Sequence, residues 1–451
     1  MNFMFIKLKD IKNLTSKELN NLYEKNFSNS LHEFFKLGDM VVQYDKASGI
    51  NVWDTEGNKY LDFMGGFGAL NLGHNHPRII EAVKNHFPDP NLLQQSINVY
   101  NGVLANNISY LTGDKLPVSF FTNSGTETVE EAIKIAYMYK GKGKILYCTN
   151  GYHGKTLGAI SALGIKSKNK FLHFEDSFIE IPFGDINALI KAAKKHSIAA
   201  FLVEPIQGEG GINLPPQGYF EAVREICNES EIVFILDEIQ SGLGRCGTMF
   251  CYEQLHIVPD VLCLSKSLSG GIIPVGSVSV KQEIWDKTYG KMKNAMLPST
   301  TFGGNTLACV AAIETLTVIK EDSLAERAKD LGTYALMKLN KLKDKHEIIT
   351  EVRGKGLFIG IEFGGLKKLH LPMLEEFMMV NIISKMLRNH KILCGFAANN
   401  PCVIKFEPPL IVTKEEIDCF AEALDKVLDE NKNEFSLAVD TLKNTAKNFI
   451  N

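Results

Sequence analysis

Several marks of whole protein classes are missing from this sequence. Basic charge is not in excess: 49 lysines and arginines stand against 52 acidic residues, a formal net charge of −3 over 451 residues. A nucleic-acid binder working through a basic face is therefore not expected. No apolar run approaches the roughly 18 residues that a membrane helix needs. The longest, such as Ala199-Ala200-Phe201-Leu202-Val203, are strand-sized, so no membrane partner is expected either. The nine cysteines form no C-x-x-C pair, and several lie inside apolar runs such as Val261-Leu262-Cys263-Leu264. That pattern points to reduced, buried thiols, not zinc ligands or disulfides, and no metal site is supported. Neither Gly65-Gly66-Phe67-Gly68 nor Gly210-Gly211 gives G-x-G-x-x-G between strand and helix, and no G-x-x-x-x-G-K-[ST] occurs, so these read as turn or close-approach glycines and not as nucleotide loops. Charge enters as early as Lys7, too soon for the apolar stretch of a secretory signal, which implies a cytoplasmic protein.

What is present suits a soluble α/β protein larger than one simple core, with 45% apolar and 22% charged residues. The first forty residues read as a helical extension, because Thr15-Ser16-Lys17-Glu18 offers a capping box and Leu19, Leu22, Tyr23 and Phe27 follow at near-helical spacing. Residues 40–44, 49–54 and 59–63 read as a small β-meander with turns between them. From about residue 100 to 280, short apolar runs alternate with helical stretches. The runs are Lys144–Cys148, Ala199–Val203, Ile232–Leu236 and Val261–Leu264. Runs without alternation suit parallel strands covered on both faces. Beyond residue 305, helical sequence, strands near 391–394 and 402–406 and a helix from Thr413 suggest a smaller α/β lobe.

Three features at the ends of these runs carry chemistry. Asn123-Ser124-Gly125-Thr126-Glu127 leads into a helix with Val129, Ala132, Ile133 and Ala136 on one face. Small and hydroxyl residues there suit a phosphate against the helix dipole, and equally an ordinary N-cap. Asp237 follows five apolar residues, and a carboxylate so placed needs a positive or hydrogen-bonding partner. Lys266 follows another apolar run, between Ser265 and Ser267; it reads as an ion-pair partner or as a nucleophile that forms a Schiff base with an aldehyde. Together, a phosphate cradle, a carboxylate for a protonated pyridine nitrogen and a lysine for an aldehyde describe pyridoxal phosphate.

These residues sit in an ordered set of motifs: Asn123–Glu127 (NSGTE), Tyr152–Gly154 (YHG), Glu204–Gly211 (EPIQGEGG), Asp237–Arg245 (DEIQSGLGR), Ser265-Lys266, Thr301–Asn305 (TFGGN) and Val352–Leu357 (VRGKGL). The set resembles the class III, or ω, aminotransferases over about residues 40–430. The resemblance implies the fold type I, aspartate aminotransferase-like architecture. It would comprise an N-terminal extension (1–38), a large cofactor domain (96–320) and a small domain built from 39–95 and 321–451, in a homodimer with shared active sites. Carried over by position, Lys266 would hold the cofactor and shuttle the proton, and Asp237 would keep the pyridine nitrogen protonated. Ser124, Gly125 and Thr126 would hold the phosphate, with Thr301 reaching it from the partner subunit. Tyr152 would stack on the ring and Gln240 would contact its O3′. His153 matches its motif, with direct cofactor contact left open. Phe67, in Gly65-Gly66-Phe67-Gly68, either shapes the substrate pocket or serves as a core aromatic.

The family pattern breaks at one position. Many members, including ornithine, acetylornithine and 4-aminobutyrate aminotransferases, have an arginine before a Pro-Pro-Leu segment that grips a carboxylate with two hydrogen bonds. Here the segment reads Val403-Ile404-Lys405-Phe406-Glu407-Pro408-Pro409-Leu410. The chain has only six arginines, yet Arg245 and Arg353 stand in their motifs. An ammonium lacks the planar fork of a guanidinium, so a weakened grip on α-carboxylates is expected, with Lys405 paired to Glu209, the position of the family's gating glutamate. The stretches Gly65–His74, Leu214–Tyr219 and Ile272–Gly276 resemble putrescine (diamine) aminotransferases, which implies ping-pong transfer of a terminal amino group to 2-oxoglutarate, giving an aminoaldehyde and glutamate. The alternatives are an ornithine-, acetylornithine- or 4-aminobutyrate-type enzyme, an aminotransferase acting on a biosynthetic aldehyde, and, outside transamination, an aminomutase or epimerase.

Overall fold

The computed structural model describes residues 5–92, 96–171, 173–364 and 372–430. The outer ends of the expected 1–38 and 321–451 segments, and the boundary at residue 95, lie outside the described residues. The chain enters through helices Ser16–Asn26 and Asn29–Leu37. Thr15 caps the first as a capping box: its Oγ1 accepts from the Glu18 N–H, and Glu18 accepts from the Thr15 N–H.

Strands β1 (Tyr44–Ser48), β2 (Asn51–Asp54) and β3 (Lys59–Asp62) form the antiparallel meander. The first begins at Tyr44, where the sequence reading had it end. The reason is tertiary: the carbonyls of Asp39 and Val41 accept from the Arg388 guanidinium, so that stretch is bound to a C-terminal helix and not to the ladder. The second turn is held by Asp54, which accepts from the N–H groups of Glu56 and Asn58 and from the Tyr60 hydroxyl.

A seven-stranded sheet follows: β4 (Val118–Thr122), β5 (Lys144–Cys148), β6 (Phe178–Ile181), β7 (Ile198–Val203), β8 (Val233–Asp237), β9 (Val261–Leu264) and β10 (Gly276–Val280), in the order β4-β10-β9-β8-β7-β5-β6. Strands β5 to β9 run parallel, and β10 is antiparallel to both neighbours. Every residue of β7, β8 and β9 is buried, as their unbroken apolar sequence requires. Strand β10 is just as buried but reads Gly-Ser-Val-Ser-Val; Ser279 pairs its hydroxyl with Ser119 at 2.8 Å, which offsets burial of the polar groups. Because β10 reverses between β9 and β4, the carboxyl ends of β4, β5, β7, β8 and β9 all meet one edge, where open α/β sheets bind ligands.

The remaining chain adds helices Thr306–Glu321 and Leu324–Lys345, then β11 (Ile349–Lys355), β12 (Phe358–Phe363), β13 (Ile392–Leu393), β14 (Gly395–Ala397) and β15 (Asn400–Phe406). Four form a sheet in the order β11-β12-β15-β14, while β13 pairs in parallel with β3 and so joins the two chain ends. Thr413 caps the helix Lys414–Asp429 with a second capping box. All nine cysteines are free and eight are buried, Cys419 being exposed. Among the described residues, no helix is long and apolar enough to cross a membrane.

Candidate active site

The carboxyl edge of the large sheet gathers the predicted residues. Asp237 ends β8. Its Oδ2 accepts from His153 Nδ1 at 2.8 Å, and its Oδ1 accepts from the Ile239 N–H at 3.0 Å. His153 follows β5 and is wholly buried. Burial alone would lower its pKa, but the hydrogen bond and charge of Asp237 carry it above the ordinary value. The structure thus gives His153 the job of fixing Asp237, and its Nε2 has no hydrogen-bond partner. Lys266 lies two residues past β9 with φ of +43°, in the sparsely populated left-handed region. Burial lowers the pKa of its amine, opposed by Glu209 and helped by Lys405. That bias favours the neutral, nucleophilic form.

The cradle lies beside this pair. Ser124 caps the helix Gly125–Lys140, its hydroxyl accepting from the Glu127 N–H at 3.3 Å. Thr126 Oγ1 is 2.8 Å from Thr156 Oγ1, and Thr156 donates to Glu130. Glu130 also accepts from the N–H groups of Gly158 and Ala159, capping the short helix Leu157–Ser161. Two glycines keep the space open. A β-carbon on Gly125 would press Ile239 at 3.0 Å, and one on Gly154, at φ +121°, would strike Thr126 Oγ1. Half-buried Tyr152 donates its N–H to Glu204 Oε1, and the Gly208 N–H binds the other oxygen, both at 2.9 Å. Burial pushes Glu204 up to about 7, against the opposing charge of His153.

The predicted pairing of Lys405 with Glu209 is present, and a third charge joins it. Lys405 Nζ, 1% exposed, is 2.5 Å from Glu209 Oε1 and 3.3 Å from Glu407 Oε2. Glu209 Oε2 accepts from the Ala398 N–H at 2.9 Å. Gln240 Nε2 donates to Glu407 Oε1 at 2.8 Å and to the Phe67 carbonyl at 3.2 Å, so its amide belongs to this cluster. The Lys405 ammonium also sits 5.1 Å from the centre of the Phe67 ring. Phe67 is half-exposed at φ +58°, which places it over the cluster and outside the core. Burial would lower the Lys405 pKa, but Glu407 and Glu209 together raise it; burial would raise Glu209, but Lys405 and Lys266 hold it down.

Glu407 is the residue that sequence reasoning passed over. Its signal was available: Lys405 and Glu407 are two apart on extended chain, so they share a face. Glu204 was likewise quoted without a role. The motif arginines turn out to support the walls. Arg245 is fully buried and donates to the carbonyls of Leu357 and Pro408 and to Asn71, while Arg353 donates to the carbonyls of Gly211 and Ile212. Burial lowers Arg245 to about 10.

Thr301 is exposed and lines a separate depression of about 540 Å³ with Asn98, Asn101 and Phe120. Its neighbour Thr300 accepts from Asn123, directly before the cradle. Around it lie exposed apolar side chains, Ile97, Val99, Met296, Leu297 and Phe302. Elsewhere, His346, Asp425 and Asp429 gather their ligand atoms within 4.8 Å, but Lys345 already bridges both aspartates at 2.8 and 2.7 Å.

Comparison with known proteins bears on this arrangement. The family described as "Aminotransferase class-III" matches residues 36–428. The chain is 36% identical over 441 residues to "Aminotransferase PigE" of Serratia sp. (strain ATCC 39006), covering 88% of this chain and 52% of that protein. The chain therefore spans about half the length of this curated relative. Among solved structures, an ornithine aminotransferase from Toxoplasma gondii, described with partial occupancy of PLP at its active site, superposes with a TM-score of 0.81 at 31% identity, covering 92% of this chain and 94% of that one. An acetylornithine aminotransferase from Elizabethkingia anophelis gives 0.77 at 31% identity, covering 92% and 100%.

Proposed function

The chain belongs to the class III aminotransferases, whose cofactor is pyridoxal phosphate, and on that premise we propose that it moves the terminal amino group of a small amine to a keto acid. The residues present fit the cofactor. The amino end of the helix Gly125–Lys140, with Ser124 and Thr126, offers N–H and O–H donors to a phosphate, and Gly154 leaves the space beside Thr126 that a β-carbon would fill. Asp237 offers a carboxylate that would meet a protonated ring nitrogen, and Lys266 an amine that would meet an aldehyde. When bound, pyridoxal phosphate supplies an aldehyde that captures amines and a ring that withdraws electrons from the carbon beside the nitrogen.

The protein's own groups do the rest. Lys266 Nζ, whose pKa burial lowers, takes a proton from the amine-bearing carbon of the donor and delivers one to the former keto carbon of the acceptor. The His153 imidazole and the Ile239 N–H both donate to Asp237 and hold its carboxylate in place. The Tyr152 hydroxyl lies within electrostatic reach of Glu209 and Lys405, and Phe67 covers the Lys405 cluster from the solvent side.

One observation carries the donor class: Lys405, where many relatives have a carboxylate-gripping arginine, is buried between two carboxylates. This supports a donor that carries no carboxylate, such as putrescine, with 2-oxoglutarate as acceptor in a ping-pong cycle. A second reading, an ω-amino acid donor of the ornithine or acetylornithine type, is favoured by the names of the solved relatives. To test the reaction, the cofactor-loaded protein is mixed with putrescine, ornithine or 4-aminobutyrate without keto acid. Bleaching of the bound cofactor's absorbance, with one aldehyde released per site and recovery on adding 2-oxoglutarate, is the expected result. No bleaching with any amine would overturn it.

A homodimer with shared sites belongs to the same proposal. The exposed apolar side chains flanking Thr301 support it, since a second copy seated there would cover them and bring Thr301 to the neighbouring cradle.

A further inference from the structure

The cluster around Lys405 holds one more carboxylate than a simple gate needs. Glu407 is fully buried. Its Oε1 accepts from Gln240, and its Oε2, which makes no hydrogen bond, faces Lys405 Nζ at 3.3 Å. Glu209 pairs with the same ammonium at 2.5 Å. With both acids ionised and the lysine protonated, the cluster carries a net charge of −1. If Glu209 swings aside, Glu407 still balances Lys405, and the wall becomes neutral and never positive. A lysine paired with a gate alone would instead become a free cation when the gate opened. Burial keeps water from screening these charges, so their sign is felt by whatever enters. The cluster also lies close enough to Lys266 for all three of its charges to act on that amine.

We infer that Glu407 is a specificity-determining residue: by holding Lys405 in a permanent ion pair, it makes the site rank amine donors by the charge at their far end, ammonium above uncharged above carboxylate. This rests on the terminal-amine transaminase reading and narrows it. The selected class is a short aliphatic diamine. The same wall gives the acceptor keto acid a weak grip.

The test uses the cofactor-loaded protein and three amines of similar length: 1,4-diaminobutane, n-pentylamine and 4-aminobutyrate. Bleaching of the cofactor is followed in single turnover without keto acid. The unaltered protein is expected to rank them in that order. Glu407→Gln is expected to move the diaminobutane-to-aminobutyrate ratio by about tenfold toward the carboxylate, because a nearby charge favours or opposes an ion by that order. The change should fall on the amine concentration giving half-maximal bleaching more than on the maximal rate; in a separate steady-state assay with keto acid the KM for 2-oxoglutarate should fall, and Glu407→Asp should keep the original ranking. A Glu407→Gln protein that binds cofactor fully and leaves the ratio unchanged would overturn the inference. So would an unaltered protein that prefers 4-aminobutyrate, a result that stands even if the variant fails to fold. Bleaching with none of the three, nor with ornithine, would instead overturn the transaminase reading itself.

Discussion

Lys266 illustrates how single charges tune this site. Burial lowers its pKa, Glu209 raises it and Lys405 lowers it further. Glu209→Gln removes a raising influence, so the pH midpoint for capture of pyridoxal phosphate by the apoprotein should fall. Lys405→Met removes a lowering one, so the midpoint should rise. Absorbance after rapid mixing across pH measures both, and shifts in the same direction would contradict this electrostatic account. The Asp237–His153 pair gives a second prediction. His153→Leu leaves a buried carboxylate with one donor fewer, and a lost hydrogen bond to a charged group is worth about 1.5–3 kcal/mol. Cofactor affinity by equilibrium dialysis should therefore drop by roughly tenfold or more.

At the scale of elements, the cradle depends on backbone that leaves no room for side chains. A β-carbon on Gly154 would meet Thr126 Oγ1 on a residue already at φ +121°. Gly154→Ala should cost about 1–3 kcal/mol of stability. It should also abolish most of the thermal stabilisation that bound cofactor confers, because the displaced Thr126 belongs to the proposed phosphate site. Ser124→Ala should cost about 0.5–2 kcal/mol through the lost cap alone. Differential scanning calorimetry with and without cofactor separates the two effects. The elements themselves differ in how plainly the sequence announces them. Strands β8 and β9 were legible because they are unbroken apolar runs, closed by Asp237 and followed by Ser265 respectively. Strand β10 was not, because its serines look exposed until the hydroxyls of Ser119 and Ser279 are seen to satisfy each other.

For the whole molecule, the apolar side chains near Thr301 set the expectation. Ile97 is 91% and Met296 80% exposed in the single chain. Ile97→Glu combined with Met296→Glu should yield a monomer by sedimentation and should lose most activity, whereas the unaltered protein should sediment as a dimer. A fully active monomeric protein would refute the shared site. The relatives favour the ω-amino acid donor over the diamine that the cluster around Lys405 supports, and the half-reaction ranking decides between them.

The sequence by itself determined the chemistry. Asp237 and Lys266 end apolar runs, Ser124 starts a helix, and the ordered motifs name the family, because each of these signals is local and survives in one dimension. The Lys405–Glu209 pair was also foreseeable, since both residues stand in motif positions. Only the tertiary structure decided what those charges do. It joined His153 to Asp237 across 84 residues, and it set Glu407 and Glu209 beside one ammonium although 198 positions separate them in the chain. Coulomb and hydrogen-bond energies depend on distance in space, and no periodicity along the chain encodes which distant carboxylate will share a buried lysine.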